Sequence, residues 1–359
     1  YEVARQGIPA IRRYFEQLDA GAVVATQLKM VLCGDAEAGK TSLRNAFAGR
    51  QSPRQKEKDR TIHLDCESVR IPVEGDDEIK ALILNIFDLG GQENYVNAQA
   101  PFLTRSALFV LVVEAEKACD RYADEAVLRF ITLIQTRVSD ATVQLVVSKI
   151  DELDFDDEGA CEDCCDWLLG VVEDRLKKWR EAVKRRNERE GRPEKEIPMI
   201  RVEQRVLAVS VGEELILSQG VDDFQKAVIK LARSKDKFPN VGQQIPFSWF
   251  EVWTFLRAIA KHGDESKAIE AMLEGTATKP FGVDEKELSA QGAYRPLDAL
   301  RAAWSIYCEH VRKRGDSDEM FFDALQLLEA QGAFFVDAGL AFLQPQLIIE
   351  LMKPLVDHR

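Results

Sequence analysis

Gly34-Asp-Ala-Glu-Ala-Gly-Lys-Thr41, followed by Ser42, has the spacing G-x-x-x-x-G-K-[ST]. Residue types in this order bind phosphate. The glycines, Gly34 and Gly39, bound a turn that aims successive backbone N–H groups at one anion, those of Glu37, Ala38, Gly39, Lys40, Thr41 and Ser42 among them. The Lys40 ammonium reaches the outer phosphates of a nucleoside triphosphate, and the Thr41 hydroxyl sits on Mg²⁺. A chance turn between a strand and a helix is the bland reading. The context argues against it, because an apolar run from Leu28 to Cys33 precedes the loop and Leu43, Ala46 and Phe47 follow on one helix face.

Further along, Asp88-Leu-Gly-Gly-Gln-Glu93 ends an apolar run. Asp88 can hold an Mg²⁺-bound water, Gly91 lets a backbone N–H approach a terminal phosphate, and Gln92 can orient an attacking water. A plain turn accounts for the two glycines but not for the acid and the amide. Thr61 is placed to be a second metal ligand, though a lone Thr at a strand edge usually has no such role. Ser148-Lys-Ile-Asp151 resembles the N-K-x-D guanine motif with Ser in first place. A carboxylate at Asp151 accepts two hydrogen bonds from guanine, which adenine cannot offer. The stem of Lys149 packs over the base, and Ser210 and Val211 supply backbone near the guanine oxygen. Ser148 is expected to be too short to bridge to the phosphate loop as well as Asn does.

The elements that must position these groups follow from periodicity. Buried strands are expected at 28–33, 107–113, 142–148 and 206–209, and a hairpin at 62–73 and 79–87 turning at Gly75. Helical patterns intervene at about 122–138 and 159–190, and a polar loop spans 51–60. Strands alternating with helices imply an α/β sheet, mainly parallel, with ligand loops at the carboxyl ends of its strands. After about residue 236 the alternation stops. Aromatic-rich helices follow, at 247–259, 297–311 and 321–328, with a small hairpin at 333–343 and a closing helix at 346–356. This second domain is expected to be mostly helical with a minor sheet. Residues 2–19 read as a leading helix.

Composition narrows the classes. A net charge of −13 opposes a nucleic-acid surface spread over the molecule. No apolar run approaches the ~20 residues of a membrane span, and the start shows no signal peptide. The first residue is Tyr1, so an excised fragment is expected. Seven cysteines suit no disulfide framework. Reduced thiols and a cytoplasmic protein are expected. Cys161, Cys164 and Cys165 invite a zinc reading, but they continue a helical stripe through Leu168, Val172, Leu176 and Trp179, and a core face is preferred.

The ordered set of motifs resembles the Ras-like GTPase superfamily. The D-L-G-G-Q-E run, the 102–108 segment, the Gln243–Trp249 entry to the second domain and the 332–345 segment resemble the Roco family, in which a Roc GTPase domain precedes a COR domain. On this resemblance, residues 1–21 are a leading helix or linker, 22–235 a Roc domain and 236–359 the N-terminal half of COR. It implies slow GTP hydrolysis, Mg²⁺ bound with GTP or GDP, and a conformational switch linked to a homodimer. COR carries much of the family's dimer contact, chiefly through the half expected to be missing. Arg137 matches a position at the Roc–COR interface, or is simply an exposed helix-end cation. Ala36 departs from the Gly common in Ras-like loops, and its methyl crowds the space of an inserted arginine. Gln92 and intramolecular groups are therefore expected to matter more than a Ras-type activator. Two rivals remain, a nucleotide-gated interaction module with negligible hydrolysis and an ATP-binding switch.

Overall fold

The computed structural model describes residues 7–54, 64–75, 79–90, 102–118, 123–153, 159–191, 197–273, 294–309 and 318–344. The chain divides into two compact units, Lys29–Cys66 with Ile86–Ala232, and Tyr1–Leu28 with Glu67–Asn85 and Arg233–Arg359.

The first part of the chain forms α1 (Ile8–Asp19), β1 (Ala22–Val24), β2 (Gln27–Cys33), α2 (Lys40–Phe47), β3 (Leu64–Pro72), β4 (Ala81–Leu89) and β5 (Ala107–Glu114). Then come α3 (Ala115–Ala118), α4 (Ala123–Arg137), β6 (Thr142–Ser148), α5 (Ala160–Arg189), β7 (Arg201–Val202), β8 (Leu207–Ala208) and α6 (Val221–Ala232). The sheet runs in the order β3-β4-β2-β5-β6-β7, and β8 also pairs with β6. Pairings β2–β5, β5–β6, β6–β7 and β6–β8 are parallel. Every residue of β2, β5 and β6 is buried; β5 is apolar up to Glu114, while β2 and β6 also bury Gln27, Lys29, Thr142 and Gln144. Parallel central strands put the carboxyl ends of β2, β5 and β6 on one edge, where Gly34 follows β2 and Glu114 and Ser148 end β5 and β6.

Helix α5 illustrates how local sequence sets burial. Its Cys164, Leu168 and Val172 are buried, while Cys161 and Cys165 are half-buried, so the cysteine stripe is core packing as expected. Beyond Val172 the stripe thins, and pairs at i,i+4 such as Lys178–Asp174 and Arg185–Glu181 take over on an exposed surface. Cys164 is disulfide-bonded, while the thiols of Cys33, Cys66, Cys161, Cys165 and Cys308 are free.

The remaining elements are β9 (Gln244–Pro246), α7 (Phe247–His262), α8 (Glu265–Leu273), β10 (Tyr294–Pro296), α9 (Leu297–Tyr307), α10 (Asp318–Ala330), β11 (Phe335–Asp337) and β12 (Leu340–Phe342). Helix α7 places Val252, Phe255 and Ile259 in a core shared with Trp304 and Phe321, and Phe255 meets the Trp304 ring edge-on at 5.3 Å. Gly263, at φ 68°, closes α7 by donating its N–H to the Ile259 carbonyl. The 333–343 segment forms the expected hairpin, joined by β10 as a third strand. The expected closing helix at 346–356 lies outside the described residues.

Helix α1 is part of this second unit. The Tyr14 hydroxyl donates to the Gln244 carbonyl at 2.7 Å, Trp249 Nε1 donates to Gln17 Oε1 at 3.1 Å, and β1 pairs antiparallel with β9. The same unit takes in the outer hairpin of β3 and β4. There the buried Asn85 amide donates to the Gln331 carbonyl at 2.8 Å and accepts from Ser68 Oγ at 2.8 Å. No helix among the described residues is long and apolar enough to cross a membrane.

Candidate functional site

Strand β2 delivers the chain to Gly34, which adopts φ 139°; a Cβ there would lie 2.2 Å from the Val112 carbonyl oxygen of β5, so only glycine lets the loop start against its neighbour. Glu37 turns the loop at φ 67°, and Gly39 follows at φ 83° as the left-handed N-cap of α2. No side chain caps α2. Its first N–H groups, at Lys40, Thr41 and Ser42, are therefore aimed at the loop's concave side, where an anion suits both hydrogen bonding and the helix dipole.

Lys40 is buried and curls over the loop, with Nζ 2.9 Å from the Gly34 carbonyl and 2.5 Å from the Asp35 carbonyl. Burial lowers its pKa, opposed by the charges of Asp88, Cys33 and Asp35. Asp88, fully buried at the end of β4, is shifted the other way: burial raises its pKa against the pull of Lys40, Arg44 and the Thr41 hydroxyl. Both shifts say that the charges are held in a dry place whose partners only partly replace water.

The Thr41 hydroxyl donates to Asp88 Oδ2 at 2.6 Å, while Asp88 Oδ1 is buried with no hydrogen-bond partner among the described residues. A buried carboxylate oxygen without a donor is costly. Beside a threonine hydroxyl, it suits a hard, oxygen-ligated, water-carrying cation such as Mg²⁺. The donor set fits the metal. Arg44, buried on α2, lies 2.5 Å from Asp65 Oδ2 of β3 and 3.8 Å from Asp88 Oδ2, so a cation backs the carboxylate from behind. Neither Arg44 nor Asp65 was singled out from the sequence. Thr61, Gly91 and Gln92 lie outside the described residues.

The second half of the site comes from β6. The Ser148 hydroxyl donates to the Ala38 carbonyl of the phosphate loop at 2.7 Å. Serine thus reaches the loop, through a single hydroxyl where an Asn amide would offer both a donor and an acceptor. Gly39 has no side chain, and a Cβ built on it would sit 3.7 Å from Ser148 Cβ and Oγ, so the strand end and the loop approach closely enough for a hydroxyl. Lys149 follows at φ 57°, its Nζ 2.5 Å from Glu114 Oε1. Asp151 is exposed, and its Oδ1 accepts from the buried Ser210 hydroxyl at 2.8 Å. Val211, half-buried, comes next, and Gly212 N–H donates to Ser218 Oγ at 3.2 Å. Residues 148–151 and 209–212, widely spaced in sequence, thus meet beside the phosphate loop, as their order implied. Arg137 is exposed in the last turn of α4, where a cation suits the helix dipole.

Fold and site together define a Ras-like P-loop domain followed by a mostly helical domain with a small sheet. Residues 29–151 match the family Roc (Ras of Complex, Roc, domain of DAPkinase). The chain thus carries a match to the Roc domain and is similar to Roc–COR proteins of the Roco family, the family its motifs resemble. It is 32% identical over 159 residues to the mouse protein malignant fibrous histiocytoma-amplified sequence 1 homolog, covering 42% of this chain and 15% of that protein. It is 30% identical over 118 residues to a Roc-COR-CHAT protease of Runella zeae, covering 31% of this chain and 13% of that one. The chain therefore spans a minor part of the length of these relatives. In fold it is similar to Methanosarcina barkeri Roco2 RocCORdC bound to GDP, with a TM-score of 0.56 and 17% identity over 94% of this chain and 79% of that one.

Proposed function

We propose that this chain binds GTP and GDP with Mg²⁺, hydrolyses GTP slowly, and uses the nucleotide state as a conformational and dimerisation switch coupled to a COR domain beginning near residue 236. The observation that carries the reading is the Thr41–Asp88 pair, 2.6 Å apart, with Asp88 Oδ1 buried and unpaired next to the phosphate lysine. The family match and the likeness to a GDP-bound Roco2 support it.

In this reading the α2 N-terminus and the loop N–H groups hold the β- and γ-phosphates, and Lys40 neutralises their charge. Thr41 and Asp88, with Thr61 as a further ligand, would hold the metal, which would supply charge neutralisation for the phosphates. Asp151, oriented by Ser210, selects guanine, and Lys149 covers the base while Ser210 and Val211 meet the guanine oxygen through backbone. Gln92, with Gly91 beside it, orients the attacking water. Arg137 is assigned to the contact between Roc and COR.

Multiple-turnover phosphate release tests the enzyme reading against a binding module that does not turn over. Steady release by the parent, slowed at least tenfold in Gln92→Leu with GDP affinity kept, is the expected result. Binding without release would leave a nucleotide-gated interaction module.

A further inference from the structure

We propose that Arg129 is a catalytic arginine supplied from within the chain, held by Asp35 and delivered to the terminal phosphate of a bound nucleoside triphosphate. The inference rests on the GTP reading above and names a group that reading does not use.

Arg129 lies on α4, 94 residues from Asp35 in sequence, yet its Nη2 is 2.7 Å from Asp35 Oδ1. Asp35 is the second residue of the phosphate loop, and its carbonyl accepts from Lys40 Nζ at 2.5 Å. One residue thus touches both the phosphate lysine and a second cation. A carboxylate on an anion-binding loop opposes an incoming phosphate unless something neutralises it, and Arg129 is that group. The two side chains are 28% and 32% exposed, so the pair beside the phosphate loop is open to solvent. A guanidinium has five N–H donors in a planar fork and can grip a phosphate oxygen without wholly leaving a carboxylate.

Next to Asp35 stands Ala36. Its methyl obstructs an arginine brought by another protein, whereas Arg129 approaches from the chain's own helix. In hydrolysis the water oxygen bonds to the terminal phosphorus and the bond to the bridging oxygen breaks. The electron pair leaves with GDP and the water's proton ends on the phosphate products. Arg129 stays protonated throughout and spreads the charge on the transferring group.

The plain alternative is that the pair only ties α4 to the loop. Then Asp35→Asn and Arg129→Gln, which break the same contact, slow hydrolysis alike. A through-space charge effect would shift affinity but leave the rate at saturating GTP unchanged. The experiment is single-turnover hydrolysis at saturating GTP, with affinities for GDP and a non-hydrolysable GTP analogue, in the parent, Asp35→Asn, Arg129→Gln and Arg129→Lys.

The proposal expects Arg129→Gln to cut the rate at least tenfold and the preference for the triphosphate analogue over GDP by about tenfold, with GDP affinity kept. Asp35→Asn, which loosens the guanidinium without removing it, should slow hydrolysis less than Arg129→Gln does, and Arg129→Lys should restore the preference in part but not the rate. If Arg129→Gln fails to fold, Arg129→Lys with a rate at least tenfold down and GDP affinity kept serves in its place. Equal slowing by Asp35→Asn and Arg129→Gln, or a parent-like rate in Arg129→Gln, would overturn it. A parent that binds no guanine nucleotide overturns the functional reading, and this inference with it; a parent that binds and hydrolyses while these variants match it overturns this inference alone.

Discussion

The hydroxyl of Ser148, at the end of β6, donates to the carbonyl of Ala38 in the phosphate loop at 2.7 Å. This bond ties the end of β6, where we propose that the base is read, to the phosphate loop. Ser148→Ala removes the donor and leaves the buried Ala38 carbonyl short of a partner. We expect a loss of about 1–2 kcal/mol in stability and faster GDP release. Thermal melts and nucleotide-release rates check this, and a variant unchanged in both would show that the bond ties nothing.

Asp88→Asn keeps the shape of the metal-facing group and removes its charge. In the parent, chelating Mg²⁺ with EDTA should speed GDP release at least tenfold. In the variant, release should already be fast and EDTA should add little. Because burial raises the Asp88 pKa, deleting the charge should not destabilise the free protein as removal of an exposed, well-paired carboxylate would. Undiminished sensitivity to EDTA in the variant would remove Asp88 from the metal site.

Gly34→Ala forces a Cβ to within 2.2 Å of the Val112 carbonyl, at a φ of 139° that L residues rarely adopt. Backbone cannot yield as a side-chain tip does. The variant should lose roughly 3 kcal/mol or more, or fail to fold. Gly49→Ala is the control, since nothing lies within 4 Å of a Cβ there. Its φ of 73° still carries a smaller strain cost, of about 1 kcal/mol.

Cys33, buried in β2, has its thiol pushed up to about 12, chiefly by burial and against the pull of Lys40. A thiol pKa raised on folding favours the native state fully below the unfolded value near 9, and that contribution is lost as pH rises from there towards 12. Alkylation by iodoacetamide at pH 8–9 should therefore spare Cys33 in the folded protein while labelling the half-buried Cys161. Mass spectrometry of the labelled peptides decides. Rapid labelling of Cys33 would contradict the burial.

Much of this was legible in the sequence, for a physical reason. Strands β2, β5 and β6 are buried throughout, so each is dominated by apolar residues, and the turn residues after β2 carry their chemistry in fixed spacing. Pairings between distant short segments were not legible. Strand β1 pairs with β9 over three residues more than 200 positions away, and three residues carry no periodicity. Helix α6 was not singled out, although Val221, Phe224, Val228 and Leu231 mark a buried face at helical spacing that could have revealed it. The bond from Ser148 to Ala38 was not legible, because it depends on the close approach that the missing side chain of Gly39 allows. Arg44, Asp65 and Arg129 carried no motif; only the fold brings them to the loop.

The central claim is that Asp151 reads guanine. Nucleotide titration of the parent and of Asp151→Asn with GDP, ADP and xanthosine diphosphate tests it most directly. The parent should prefer GDP over both others. The variant, whose amide can donate where the carboxylate could only accept, should lose GDP affinity roughly 10- to 100-fold and gain xanthosine diphosphate, with ADP unmoved. Undiminished GDP binding by Asp151→Asn, or ADP competing as well as GDP in the parent, would contradict the account.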